Sequence, residues 1–301
     1  MFIFEEKLCS KIKHMSNYPS ISIVTPNLNQ VRFIEETIDS VLSQGYPNLE
    51  YIIIDGGSTD GSLDIIKKYE RHLKYWVSEP DKGLYHAVQK GFAQSQGEIM
   101  AWINSDDRYH RNAFFTVAEL FGEHPQVEWL MGTPSLIDEK GRIVQVDIFK
   151  RWSKYMLYMG DFRWLQQESM FWRRSLWQEA GSTLNLSKKY AADFELWLRY
   201  FRYKPLYLCR APLGCFRARQ SGSVSVQHYE SYISELTQML AEEPLTPAQE
   251  QDIKRIKFYQ WVEQIPVLRR FLKSEGRLRK LYGFPPYFIF HQASQKFGFI
   301  N

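Results

Sequence analysis

Two carboxylates, Asp106 and Asp107, stand side by side just beyond a largely apolar run, Glu98 to Ile103, closing the stretch SEPDKGLYHAVQKGFAQSQGEIMAWINSDD (78–107). Hard oxygen donors at the rim of a sheet suit Mg2+ or Mn2+ that also holds a phosphate. Asp107 is the expected metal ligand, with Asp106 beside it on the metal or on a ribose hydroxyl. Asp55 ends a second apolar run, Tyr51 to Ile54, and opens the loop DGGSTDGS. Its carboxylate can accept a hydrogen bond from the imide N–H of uracil, and glycines beside it let a base or ribose approach the backbone. The same loop can equally be a turn, with Asp60 capping the next helix. Thr25-Pro26-Asn27 closes the first apolar run as an opposite wall, and Asp81-Lys82 follows the third. Three carboxylates reaching one edge from successive runs suggest a nucleoside diphosphate handled through a metal.

Positioning those groups requires a sheet whose strand ends converge. Short β-branched runs at Ile21–Thr25, Tyr51–Ile54, Leu73–Val77, Glu98–Ile103 and Val127–Met131 read as strands. Between them Ile34, Ile38, Val41 and Leu42 fall on one helical face, and helices are expected over 62–69, 85–94 and 113–121. Alternation of this kind indicates βαβ units and a mostly parallel sheet, with ligands outside the carboxyl ends of the strands. Past Leu136 the pattern changes. Asp138-Glu-Lys-Gly141 reads as a hairpin turn, and residues 149–225 mix short strands with helices. The expected division is a leader over 1–19, a domain over 20–225 with a nucleotide-binding half (20–131) and an acceptor half (132–225), and a helical, basic and aromatic extension over 226–301.

The 301 residues carry 38 Lys or Arg against 34 Asp or Glu, a formal +4, too mild to argue for a nucleic-acid partner. Aromatics reach 16%, which reads mainly as extra core. Cys9, Cys209 and Cys215 lack metal-ligand spacing, so a reducing cytoplasm is the expected compartment. No run of about eighteen apolar residues exists for a membrane span. Between Pro266 and Tyr282, however, six cations interleave with apolar residues, as in an amphipathic helix lying on an anionic membrane or packed on its own domain. Gly276 weakens a continuous helix there, and the closing GFPPYFIFHQASQKFGFI adds aromatics that look exposed.

Taken together, Thr25-Pro-Asn, Asp55-Gly-Gly-Ser-Thr-Asp-Gly-Ser, Ser78-Glu-Pro-Asp-Lys-Gly and Asn104-Ser-Asp-Asp resemble, in order and spacing, the motifs of family 2 glycosyltransferases. The likeness covers roughly residues 20–225. It implies the GT-A fold, a Rossmann-like mixed α/β sheet flanked by helices. It also implies a nucleotide-sugar pocket of Thr25, Pro26, Asn27, Asp55, Gly56, Asp81, Lys82, Asn104 and Asp106, with Mn2+ or Mg2+ on the second carboxylate of the Asp106–Asp107 pair. Tyr190-Ala-Ala-Asp193-Phe-Glu-Leu-Trp resembles the motif whose Asp is the general base, which nominates Asp193. Glu168 is a second candidate base or acceptor contact, or else a buried structural acid. Arg217 and Arg219 stand where some relatives place a His that reaches the diphosphate, and either could clamp phosphate or be a surface charge. Two departures are His86, where relatives often carry Asp, and Ala192, where many carry Glu.

The implied reaction is inverting transfer from a nucleotide sugar, a UDP-sugar favoured, to a hydroxyl of a glycan or lipid-linked acceptor. Cell-surface polysaccharide synthesis at the inner face of the plasma membrane is its natural setting. A non-catalytic scaffold that binds the nucleotide sugar and a nucleotidyltransferase are the alternatives. No GxGxxG follows the first strand, which argues against a dinucleotide enzyme.

Overall fold

The computed structural model of the protein describes residues 18–162, 165–219 and 228–300. All but the last two residues of the expected leader lie outside them. Strands β1 (Ile21–Asn27), β2 (Leu49–Asp55), β3 (Tyr75–Ser78) and β4 (Ile99–Trp102) alternate with helices α1 (Ile34–Leu42), α2 (Ser62–Lys68) and α3 (Leu84–Ala93). The parallel pairs run β4–β1–β2–β3, in register Val24↔Trp102 and Asn27↔Asp55. After the short strand β5 (Arg108–Tyr109) and helix α4 (Ala113–Glu123), β6 (Trp129–Met131) joins on the other side. β9 (Met170–Arg173) inserts between β4 and β6, antiparallel to both, and β10 (Tyr207–Leu208) closes that edge. One reversed strand makes the seven-stranded sheet mixed. The expected order of the first five strands holds, although β3 and β6 start two residues later than the apolar runs suggest.

Each face of the sheet has its own core. Ile23, Ile53, Ile99 and Phe171 point to one face, under α1 and α4. Val24, Ile54, Trp102 and Trp172 point to the other, under α3, the short helices α5 (Lys154–Tyr158) and α6 (Arg174–Glu179), and α7 (Ala192–Tyr203). Alternate residues of one strand feed both, as the twofold side-chain period requires. The high tryptophan content is spent here. Trp102, Trp129, Trp172 and Trp197 are buried, and Trp197 stacks on Trp102 with centroids 5.8 Å apart and planes 12° from parallel. That contact presses α7 against the strand leading into Asn104–Asp107.

A second, four-stranded sheet, β5–β11–β7–β8, contains β7 (Ser135–Ile137), β8 (Ile143–Val146) and β11 (Gly214–Arg217). The β7–β8 hairpin turns through Asp138 to Gly141, as its sequence indicates, with Gly141 at φ +76°. α8 (Tyr229–Glu242) adds Leu236 and Met239 to the α7-side core. Helices α9 (Pro247–Glu263), α10 (Pro266–Leu272) and α11 (Ser274–Tyr282) follow. The expected helix over 266–282 is broken, at Lys273 (φ 46°) rather than at Gly276. The closing aromatics are not simply exposed either. β12 (Tyr287–His291) and β13 (Lys296–Ile300) form a hairpin whose Phe288 is fully buried, and the Arg210 amide donates to Phe288 O (2.9 Å) beside β10. The hairpin covers an edge strand that would otherwise offer unpaired backbone groups. No described helix is long and apolar enough to cross a membrane.

Candidate active site

The carboxyl ends of β1, β2 and β4 bring Asn27, Asp55 and the segment 104–107 to one edge. Asp55 is fully buried. Its Oδ1 accepts from Asn27 Nδ2 (2.6 Å) and Ser58 Oγ (2.5 Å). Its Oδ2 accepts from Ser78 Oγ (2.6 Å) and from the amides of Gly57 (3.1 Å) and Ser58 (2.9 Å). Burial alone would raise its pKa, but Ser58, Ser78 and Asn27 together hold it below the usual carboxylate range. Five donors fill the lone pairs a carboxylate offers, so a base N–H could reach Asp55 only by displacing one of them. Asn27 differs. Its Oδ1 is buried and accepts no hydrogen bond among the described residues. Thr25 and Pro26 are buried, and the Thr25 hydroxyl lies 3.1 Å from the Tyr51 phenol, so both support the wall from behind.

Asp81 joins Asp55 at this edge. Its Oδ1 accepts from the Gly83 amide (2.7 Å), and its carboxylate lies over Gly56, where a Cβ would come within 2.9 Å of Oδ2. Gly56 therefore cannot carry a side chain without moving Asp81. Lys82 is exposed, and its amide donates to His86 Nδ1 (3.4 Å), which fastens this loop to the first turn of α3.

Asp106 and Asp107 separate sharply. Asp107 is fully buried, its Oδ1 accepting from the Arg217 amide (2.7 Å) and its Oδ2 from Asn104 Nδ2 (3.2 Å). These two donors occupy the carboxylate expected to hold the metal. Its carboxyl faces that of Glu168, also buried. Burial first, then the charges of Asp106 and Glu168, push Asp107 well above the carboxylate range, and burial likewise raises Glu168 to about 7. One proton thus stays between two acids that could not both ionise in this space. Glu168 is itself only 5% exposed.

Asp106 is only partly buried, and Arg219 reaches its Oδ2 at 2.7 Å while also donating to Gln30 Oε1 (3.0 Å). Arg217, expected as a possible phosphate clamp, is fully buried. Its Nε donates to Asp106 O (2.6 Å), Nη1 to Asp138 O (3.0 Å) and Nη2 to Glu36 Oε2 (2.5 Å). Its guanidinium is a strut joining the two sheets, and Arg219 is the cation at the rim.

These residues fit a divalent cation. Asp106 supplies a rim carboxylate, and Asn104 Oδ1 is a buried oxygen that accepts no hydrogen bond among the described residues. Mg2+ and Mn2+ take one or two carboxylates plus a ligand's phosphates, so the absence of any cluster of three ligating side chains among the described residues is compatible with such a site.

Asp193 enters from the other half, in the first turn of α7. Phe194, Trp197, Leu198 and Phe201 bury one face of that helix, and the Glu195–Arg199 pair (2.9 Å) braces it at i, i+4. No side chain caps its start from Ala191. Instead Glu235 of α8 accepts the amides of Lys189, Tyr190 and Ala191, each at 2.9 Å, and fixes the loop in front of Asp193. Tyr85 of α3 donates to Asp193 Oδ1 (3.0 Å) from 108 residues away in sequence. Burial raises the Asp193 pKa, and the hydrogen bonds from the Phe194 amide and Tyr85 partly offset it. Sequence reasoning passed over Tyr85 and Glu235. The only available signal was that Tyr85 follows the Asp81 loop directly.

The family model described as "Glycosyl transferase family 2" matches residues 22–177, just over half the chain. The putative teichuronic acid biosynthesis glycosyltransferase TuaG of Bacillus subtilis is 38% identical over 104 residues, covering 33% of this chain and 40% of that one. An uncharacterized glycosyltransferase of Rickettsia prowazekii, RP339, is 27% identical over 222 residues, 71% and 69% of the two chains. The match thus spans well under half of the TuaG length. Among solved structures, S. aureus TarS 1–349 in complex with UDP-GlcNAc superposes with a TM-score of 0.63 at 16% identity, covering 87% of this chain and 81% of that one. Mannosyltransferase PcManGT of Pyrobaculum calidifontis, in complex with GDP-Man and Mn2+, gives 0.58 at 16%, covering 78% and 68%. At these identities the superpositions speak for the fold.

Proposed function

The chain belongs to glycosyl transferase family 2, and we propose that it moves a sugar, with inversion, from a nucleotide sugar to a hydroxyl of a glycan or lipid-linked acceptor. The observation that carries the reading is the convergence of Asn27, Asp55 and Asp106 on one sheet edge, with Asp193 held toward the donor half by Tyr85. A UDP-sugar is the favoured donor, in keeping with the UDP-GlcNAc complex of TarS. TuaG's description suggests cell-surface polysaccharide as the product class.

In the proposed pocket Asp55 organises the loop, Asn27 Oδ1 offers the open acceptor for a base N–H, and Asp81 stands beside Gly56 for base or ribose. Asp106 and Asn104 Oδ1 would hold Mn2+ or Mg2+, which when bound offsets charge on a departing diphosphate. Asp193 takes the proton of the acceptor hydroxyl as its oxygen forms the new bond to the anomeric carbon. The bond from that carbon to the diphosphate oxygen breaks on the opposite face, and the electron pair leaves with the diphosphate. A carboxylate whose pKa burial has raised is a stronger base once ionised. We place the reaction at the inner face of a membrane, reached through the C-terminal region.

Calorimetric titration of UDP and GDP with Mn2+, then with EDTA, tests the donor site. Metal-dependent UDP binding that Asp106→Ala abolishes and Asp107→Asn leaves measurable is expected. Failure of the wild type to bind either nucleotide would overturn the proposal. Nucleotide binding without release of nucleoside diphosphate in the presence of donor and acceptor would favour the scaffold reading.

A further inference from the structure

The helices beyond α8 hold a disproportionate share of the chain's charge and exposed apolar surface. Residues 247–282 contain nine Lys or Arg against four Asp or Glu, a net +5 where the whole chain carries +4. All nine cations are exposed. Every exposed Phe or Trp among the described residues also lies beyond residue 257, at Phe258, Trp261, Phe271 and Phe290.

Within these helices the extreme is α10, where Val267 is 78% and Phe271 81% exposed. Their i, i+4 spacing stacks them on one face, and Arg269, Arg270 and Lys273 surround them in sequence. Arg269, Arg270, Lys273 and Ser274, with Glu263, line an open cleft of about 540 Å3. Glu263 is engaged by Arg269 (3.3 Å) and the Ser274 hydroxyl, and Glu275, which also lines the cleft, lies 3.8 Å from Arg269, so Arg270 and Lys273 are the cations the cleft presents.

This tip is held in place. Ile256 and Val262 of α9 are fully buried, and the Tyr155 phenol donates to Asp252 (2.9 Å). Ser153 Oγ donates to Tyr282 O (2.5 Å), and Arg151 donates to Pro285 O (2.6 Å). The appendage therefore stands on α5, which itself packs against α7, the helix that opens with Asp193. An exposed apolar pair on a helix that also carries exposed cations matches an interfacial contact, in which apolar side chains enter the headgroup boundary and cations face lipid phosphates.

We infer that α10 and its flanking cations dock this protein on an anionic lipid bilayer, with Val267 and Phe271 as the inserted residues. The inference rests on the reading of the chain as a transferase with a lipid-linked acceptor, whose bilayer the protein would then share. Each cation near a charged bilayer is worth roughly a fivefold gain in partitioning, so removing three should cost roughly a hundredfold.

The experiment is flotation of the full chain with vesicles of phosphatidylcholine alone and of phosphatidylcholine with equimolar phosphatidylglycerol, with UDP calorimetry on the same preparations. Binding to the anionic vesicles only, weakened when salt cuts the Debye length from about 10 to about 3 Å, is expected. It should fall roughly a hundredfold in Arg269→Gln/Arg270→Gln/Lys273→Gln and disappear in Val267→Ser/Phe271→Ser, with UDP affinity unchanged in both. Wild type that binds UDP but not anionic vesicles overturns the docking surface and leaves the transferase reading intact. Loss of UDP binding in the wild type is the separate failure of that reading. A wild-type dimer that Val267→Ser/Phe271→Ser dissolves, without vesicle binding, assigns the patch to a second copy of the chain and also overturns the proposal.

Discussion

Glu168→Gln should make the protein more stable, by an amount that grows from about pH 4.5 and is complete above about pH 7. Glu168 is buried against Asp107, and its pKa is raised from an ordinary 4.5 to about 7, first by burial. A group that binds its proton more tightly in the folded chain contributes its full stability below pH 4.5 and loses it as pH climbs to about 7. At about 1.4 kcal/mol per pH unit that interval is worth about 3 kcal/mol. Gln has nearly the same shape, stays neutral, and keeps an oxygen to accept from the proton held on Asp107. The variant therefore escapes the cost of ionising a buried acid beside Asp106 and Asp107.

Urea unfolding followed by tryptophan fluorescence reads this directly, because the relevant difference is between variant and wild type at each pH. Effects of titrating groups remote from Glu168 cancel in that difference, and Asp107, which shares its proton, reports with it. Near pH 4.5 the two midpoints should nearly coincide. Above pH 7 the variant should unfold about 1 M later, given a slope of roughly 3 kcal/mol per molar for a chain of this size. A variant destabilised by the same amount at every pH would refute the reasoning, because Glu168 would then contribute only packing and hydrogen bonds.

Two further outcomes follow from the same geometry. Arg217→Met removes the donors to Asp106 O and Asp138 O and one of the two arginines on half-exposed Glu36, which keeps Arg108 (2.6 Å); a loss of about 1–3 kcal/mol in urea unfolding is expected, and no loss would mean that the strut is dispensable. Tyr85→Phe removes a hydrogen bond that favours the charged form of Asp193, so the acid limb of the kcat profile should move to higher pH while UDP affinity holds, and an unmoved limb would separate Tyr85 from the base.

The sequence pattern exposed the sheet readily, because parallel strands buried on both faces read as unbroken β-branched runs. The antiparallel β9 was harder to place, since Met170-Phe-Trp-Arg carries no periodicity that reports direction. The extension was legible in its charge but not its shape. A left-handed Lys273, not Gly276, breaks the helix, and Phe288 is buried by a hairpin contact with β10 that no local signal announces. Tyr85 and Asp193 meet only through the folding of two halves 108 residues apart.

The site's two closest ambiguities share one physical origin. Asp106 and Asp107, like Arg217 and Arg219, lie so near each other that sequence alone cannot say which member points inward. The fold decides through a single crossing. β11 runs beside the loop after β4, its Arg217 amide takes Asp107 Oδ1, and its Arg217 guanidinium takes Asp106 O. That leaves the Asp106 carboxylate and Arg219 facing each other at the rim. Gly214 permits the approach, for a Cβ there would sit 2.1 Å from Glu168 O. The inward acid must then share a proton with Glu168, since two bare carboxylates in a dry pocket repel strongly. Asp106 is thereby the most exposed of these three carboxylates, at the edge that Arg219 also reaches.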